Sequence, residues 1–228
     1  MLHKILLLSF FLTLFNSIED KGLKAYYYPI EKEKTVRVYK FIEKNHPDYS
    51  EYLKITIDPE TNTVLTEKYL NNLWHFNSGL EKLNKTGTEL IQYTDFWRKS
   101  NGDTLTVEAK IIDKEAFRWD DKESVYEYSL NYTDPREGPL NLEKSRILHS
   151  FKTITIDNKT YKTAMFLDQY TEENSSYQSS GFYQHVYYAE GLGIVKYDTH
   201  KLKTSIEMEL NEILTEEEFN KLLYKKLK

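Results

Sequence analysis

The sequence predicts a mainly β fold (α+β): a single curved antiparallel sheet or half-barrel of about ten strands with a C-terminal amphipathic helix. Three observations carry this. Apolar residues alternate with polar ones along nine segments. Turn residues, Asp58-Pro59, Asn101-Gly102 and Asp157-Asn158, sit between those segments. A capped helical pattern stands at the C-terminus alone.

The elements follow in chain order. MLHKILLLSFFLTLFNS (1–17) places His3 and Lys4 before an apolar run from Ile5 to Leu12 and ends in polar SIEDKGLK (17–24). This is the layout of a secretory signal peptide. A membrane-spanning helix needs about 20 apolar residues, and a buried core helix would carry a polar face at helical spacing. Residues 18–228 then form one β-rich domain.

Alternation marks TVRVYKFIE (35–43), YLKITI (52–57), TVLTEKYL (63–70), ELIQYTDFW (89–97), TLTVEAKII (104–112), SVYEYSLNY (124–132), SRILHSFKTITI (145–156), TYKTAMFLDQYT (160–171) and LKTSIEMEL (202–210). In the last, Leu202, Thr204, Ile206, Met208 and Leu210 share one face. Asp58 bonds its own backbone ahead of Pro59, while Asn101-Gly102 and Asp157-Asn158 are pairs suited to two-residue hairpins with positive φ. A short helix or turn is expected over HFNSGLEKLNKTG (75–87). At the end, Thr215 and Glu218 form a capping box, and Phe219, Leu222, Leu223 and Leu227 make a stripe that should dock on the sheet.

VYYAEGLGIVKYD (186–198) holds Gly191-x-Gly193. A phosphate loop would need further glycines and a following helix; a strand follows instead, so the pair reads as a turn or bulge. Residues 154–198 resemble the closing section of a group of secreted, largely uncharacterised bacterial β proteins. In those a "G-x-[FY]"-like hairpin turn leads to a strand, a polar loop and a "[WY]Y-A-x-G-x-G-x-V" segment. The match runs through Tyr161, Tyr187, Tyr188, Ala189, Gly191, Gly193 and Val195 and departs at Lys159, where glycine is usual. The resemblance implies a lipoprotein-localisation-factor-like architecture: a curved sheet around helices, whose apolar concavity accepts acyl chains in characterised members.

Composition excludes several classes. Cysteine is absent, so there is no disulfide framework and no lipid-accepting cysteine after the leader. A periplasmic or extracellular bacterial protein is expected, with no stable membrane insertion after signal cleavage. The N-x-S/T triplets at Asn84, Asn131, Asn158 and Asn174 read as chance in so Asn- and Thr-rich a chain. A net charge of −5 with five arginines argues against nucleic acid as a partner.

Histidines at 3, 46, 75, 149, 185 and 200 make no H-x-H or H-E-x-x-H, and no G-x-S-x-G occurs. Asp120-Asp121 beside Trp119 reads as a solvated turn, and His149 and His185 as hydrogen-bonded strand residues. No metal, cofactor or catalytic residue is expected, and the protein reads as non-enzymatic. Three tryptophans, Trp74, Trp97 and Trp119, lie near strand ends, where rings can border a cavity mouth. With Tyr187 they form the candidate ligand-binding set, for a lipid-like or other apolar molecule held by an envelope protein. The alternative is a structural or interaction module with an envelope-protein partner.

Overall fold

The structure, a computed structural model, describes residues 22–120, 125–174, 177–201 and 203–226. The segment read as a signal peptide (1–17) and the positions Asp121, Leu202 and Leu227 lie outside the described residues.

Thirteen strands are described: β1 Thr35–Glu43, β2 Ser50–Asp58, β3 Thr63–Tyr69, β4 His75–Leu83, β5 Gly87–Arg98, β6 Thr104–Glu108, β7 Lys110–Arg118, β8 Tyr126–Asp134, β9 Gly138–Ile156, β10 Lys159–Asn174, β11 Tyr177–Ala189, β12 Gly193–Lys201 and β13 Thr204–Leu214. Helix α1 spans Glu216–Lys226, and a single 3-10 turn spans Leu23–Tyr26. No helix among the described residues is long and apolar enough to cross a membrane.

The half-barrel of about ten strands is corrected. Pairing runs β4-β3-β2-β1-β13-β12-β11-β10-β9-β8-β7-β5, and β5 pairs back to β4, closing twelve strands into an antiparallel barrel; β6 extends the wall along the far half of β5. Closure depends on the segment expected to be a helix or turn. Residues 75–83 are β4, bonded on one side to β3 (Val64↔Glu81) and on the other to β5 (Gly79↔Tyr93). Two sets of ladder bonds outweigh local helical preference, and closure leaves these strands no unpaired edge. Bulges between Lys40 and Phe41, Leu80 and Glu81, and Met165 and Phe166 tighten the curvature.

Turn chemistry follows expectation at two of three sites. Asp58 Oδ1 accepts the backbone N–H of Glu60 at 3.0 Å and of Thr61 at 3.3 Å. Asp157 and Asn158 both have positive φ between paired Ile156 and Lys159. At Asn101-Gly102, Gly102 alone is positive (φ 90°), because the loop is longer than two residues: Lys99 N donates to Asp103 O and Gly102 N to Lys99 O.

One end of the barrel is plugged by the chain before β1. Leu23 N donates to Trp119 O, and the Ala25 carbonyl accepts from Gly191 N. Tyr27 and Tyr28 then enter a core shared with Tyr39, Phe41, Phe117, Phe166 and Tyr188. Gly191 (φ 72°) and Gly193 (φ 95°) form the β11–β12 turn, as the sequence indicated. A Cβ on Gly193 would lie 2.3 Å from Tyr28 Cδ1, whereas one on Gly191 meets nothing within 4 Å. The glycine pair is thus the seat of the plug.

Helix α1 forms as its capping box predicts: Glu218 Oε2 accepts from Thr215 N at 2.8 Å, and Thr215 Oγ1 from Glu218 N at 3.3 Å. It lies on the outer wall, where fully buried Phe219 meets Tyr52 and Tyr69 at ring separations of 5.5 and 5.0 Å. Among the described residues no α-helix occupies the lumen, unlike the helix-filled architecture that the resemblance implied.

Candidate functional site

Inward positions of the strands enclose a cavity of about 670 Å³. Its floor is the aromatic layer of Tyr28, Phe117 and Tyr188, and its rim carries Phe76, Trp97, Arg136 and Lys201, near the strand ends opposite the plug. Between them the wall is tyrosine-rich, with Tyr93, Tyr128, Tyr132 and Tyr170.

The charged centre of the floor comes from two strands. On β9 the inward series Leu140, Leu142 continues through Lys144 and Arg146, and Asp168 projects from β10, paired in register with Arg146. Arg146 grips Asp168 with both ends of its fork, Nε to Oδ1 at 2.5 Å and Nη2 to Oδ2 at 2.6 Å, and Nη1 donates to the Tyr188 hydroxyl at 3.1 Å. Lys144 Nζ lies 2.9 Å from Asp168 Oδ2 and 5.4 Å from the ring centres of both Tyr128 and Tyr170. Arg146 faces the rings of Phe117, Phe166 and Tyr188. Burial opposes ionisation of Asp168, but Arg146 and Lys144 hold its carboxyl below the usual range. Burial, aided by Arg146, lowers Lys144 to about 8 against the pull of Asp168.

Two further lumenal clusters flank the floor. Glu81 Oε2 accepts from the Tyr27 hydroxyl at 2.8 Å and from Thr88 Oγ1 at 2.5 Å, tying the plug to the wall. Glu51 pairs with Lys68 at 2.7 Å and accepts from the hydroxyls of Tyr49 and Tyr197. Towards the rim, burial raises Asp95 to about 6, and the neighbouring charge of Asp134 adds to the rise.

Of the residues singled out in the sequence, Trp97 lines the cavity, with the Arg136 guanidinium 4.4 Å from its ring centre. Trp74 sits in the β3–β4 turn, its Nε1 donating to Phe96 O, with Arg98 over its ring. Trp119 closes the plugged end against Tyr27 and donates to Asn84 O. Tyr187 faces outward, where its hydroxyl donates to Asp198 Oδ2 at 3.2 Å and Lys152 covers its ring. His149, His185 and His200 gather with Tyr183 on the outer wall, with ring separations of 6.2 and 5.8 Å along the histidines. No group of three or more His, Cys, Asp or Glu among the described residues is placed to hold a metal ion.

Sequence reading missed Lys144, Arg146 and Asp168. The signal was present: the period-two series that begins Leu140, Leu142 carries residues 144 and 146 to the same face. Charged residues in such a run read as solvent-facing unless the strand is known to border an enclosed lumen.

No family model and no curated protein matches the chain. Two solved structures are similar to it. One is described as a "putative exported protein with YmcC-like fold" from Bacteroides fragilis, 12% identical, covering 83% of this chain and 99% of that one with a TM-score of 0.50. The other is a "putative lipoprotein" from Parabacteroides distasonis, 11% identical, covering 83% and 98% with a TM-score of 0.48. The likeness to the Bacteroides fragilis protein is one of fold.

Proposed function

We propose that the protein is a non-enzymatic, exported binding protein whose barrel lumen takes a small amphipathic molecule. Its aromatic or acyl body would rest on the tyrosines and its anionic end would reach Arg146 and Lys144. The observation that carries this reading is the composition of the cavity. At about 670 Å³ it falls within the size range of small-molecule sites, and it joins aromatic walls to a few convergent polar groups. Two cations share one carboxylate at the floor, so an acidic ligand group gains an attraction that a wholly apolar ligand would forgo. The expected lipid-like ligand is thereby narrowed to one with an acidic end. Export is supported by the apolar leader at 1–17 and by the description of the Bacteroides fragilis fold relative as exported.

The test is titration with an anionic naphthalene fluorophore and with a long-chain fatty acid. Saturable binding with a Kd in the micromolar range, about −8 kcal/mol, is expected, with quenching of tryptophan emission that Trp97→Phe diminishes. Leu142→Trp, which fills the lumen, should abolish binding. Binding that persists in a folded Leu142→Trp protein would place the ligand elsewhere and defeat the proposal.

A further inference from the structure

We propose that Lys144 is a reactive amine that captures a carbonyl-bearing, acidic ligand in the lumen as an imine. The inference rests on the lumen being a ligand site, as argued above, and adds a covalent step to it.

The geometry makes the case. Lys144 lines the cavity, and its ammonium stands between the rings of Tyr128 and Tyr170. Arg146, its neighbour on the same inward face, occupies both oxygens of Asp168. One buried carboxylate therefore serves two buried cations. The excess positive charge is relieved by losing a proton, and only lysine can lose it, because a guanidinium stays protonated. A lysine desolvated beside a second cation is a recognised route to a nucleophilic amine at neutral pH. The lowering of Lys144 to about 8 agrees with this. The other charged group acting on it is Glu81, which favours the ammonium, and the titratable rings beside it are those of Tyr128 and Tyr170.

The chemistry balances without an oxidant or reductant. The ammonium releases its proton to water, and the neutral amine nitrogen attacks the carbonyl carbon. The C–N bond forms as the carbonyl π electrons move to oxygen, which takes up a proton. The nitrogen gives up one proton to solvent as the carbinolamine forms; its lone pair then expels the oxygen, protonated once more, as water, and loss of the second nitrogen proton leaves C=N. Arg146 stays beside the adduct, where it attracts a carboxylate carried on the same ligand. The ligand class is an aldehyde or ketone with a nearby acidic group.

The test uses 4-formylbenzoate as probe, limiting in amount, with cyanoborohydride to trap any imine. Labelled lysines are located by peptide mass spectrometry between pH 6.5 and 9. An amine titrating near 8 is about a quarter neutral at pH 7.5 and an ordinary lysine about a thousandth. After allowance for its weaker intrinsic nucleophilicity, Lys144 should label about tenfold faster than exposed lysines. Its rate should level off above pH 8 while theirs keeps rising. Lys144→Arg, which keeps a cation there but cannot form an imine, should lose the fast site, with circular dichroism confirming that the variant is folded. Label spread over exposed lysines with Lys144 unmodified would overturn the inference. If the fluorophore still binds in that case, the lumen reading stands and the imine step alone is refuted; if neither occurs, both fail.

Discussion

Replacing Asp95 with asparagine should stabilise the protein at neutral pH and leave it nearly unchanged at pH 3.5. Asp95 is only 8% exposed, and Asp134, whose Oδ1 accepts from Arg136 N and Glu137 N, contributes a second carboxylate nearby. Burial raises Asp95 from the usual 3.8 to about 6, against the opposing hydrogen bond from Tyr93 and with a smaller contribution from the charge of Asp134. In that window the folded state binds more protons at this site than the unfolded state. Stability therefore falls as pH rises from about 4 to 6, and the penalty is complete above it. At about 1.4 kcal/mol per pH unit the penalty approaches 3 kcal/mol, and water at the rim reduces it to about 2. The uncharged amide oxygen in Asp95→Asn can still accept from Tyr93, whose own oxygen is already served by Asn77 Nδ2 at 3.1 Å. Urea unfolding of both proteins at pH 3.5 and 7.5 cancels, in the double difference, every titrating group that does not interact with Asp95. A stabilisation of equal size at both pH values would refute the argument, because no proton linkage at Asp95 would remain.

Other consequences are as direct. Gly193→Ala, which drives a methyl against Tyr28 from a positive-φ position, should cost about 2–3 kcal/mol by chemical denaturation, and Gly191→Ala, with open space, about 1. Equal losses at the two would mean that the plug does not press on the turn. Phe219→Ala should cost about 3–4 kcal/mol and detach α1, read as loss of amide-exchange protection over 216–226 with the barrel strands still protected.

Most strands were legible because alternation is a local signal: β1 spans the residues its pattern marks, 35–43, and the capped end of α1 lies at Thr215 as its residue types require, whereas TLTVEAKII (104–112), read as one strand, divides at Ala109 into β6 and β7. Closure was not legible. HFNSGLEKL has neither a clean period of two nor β-branched residues, so its strand state comes from β3 and β5 on either side rather than from its own sequence. Missing that one strand turns a barrel into an open sheet, and an open sheet needs a helix to cover its apolar face. The same step hid the site. In an open sheet Lys144, Arg146 and Asp168 belong to a solvated face; in a closed barrel that face is the inside. Trp97 lines the cavity, a position that a ring at a strand end can take without knowledge of closure, whereas Tyr187 lies one residue out of phase with inward Val186 and Tyr188.

The plug gives the barrel a polarity. The chain before Gly22 joins at the sealed pole, beside Trp119, while ligand would enter at the pole that carries Trp97 and Arg136. A surface held at Gly22 would therefore leave the entrance facing away from the attachment. The C-terminal side behaves oppositely: α1 climbs the outer wall until Lys226 reaches the Asn72 carbonyl in the β3–β4 turn. Immobilisation through that end would crowd the entrance, so the two attachments should give different apparent on-rates for one ligand.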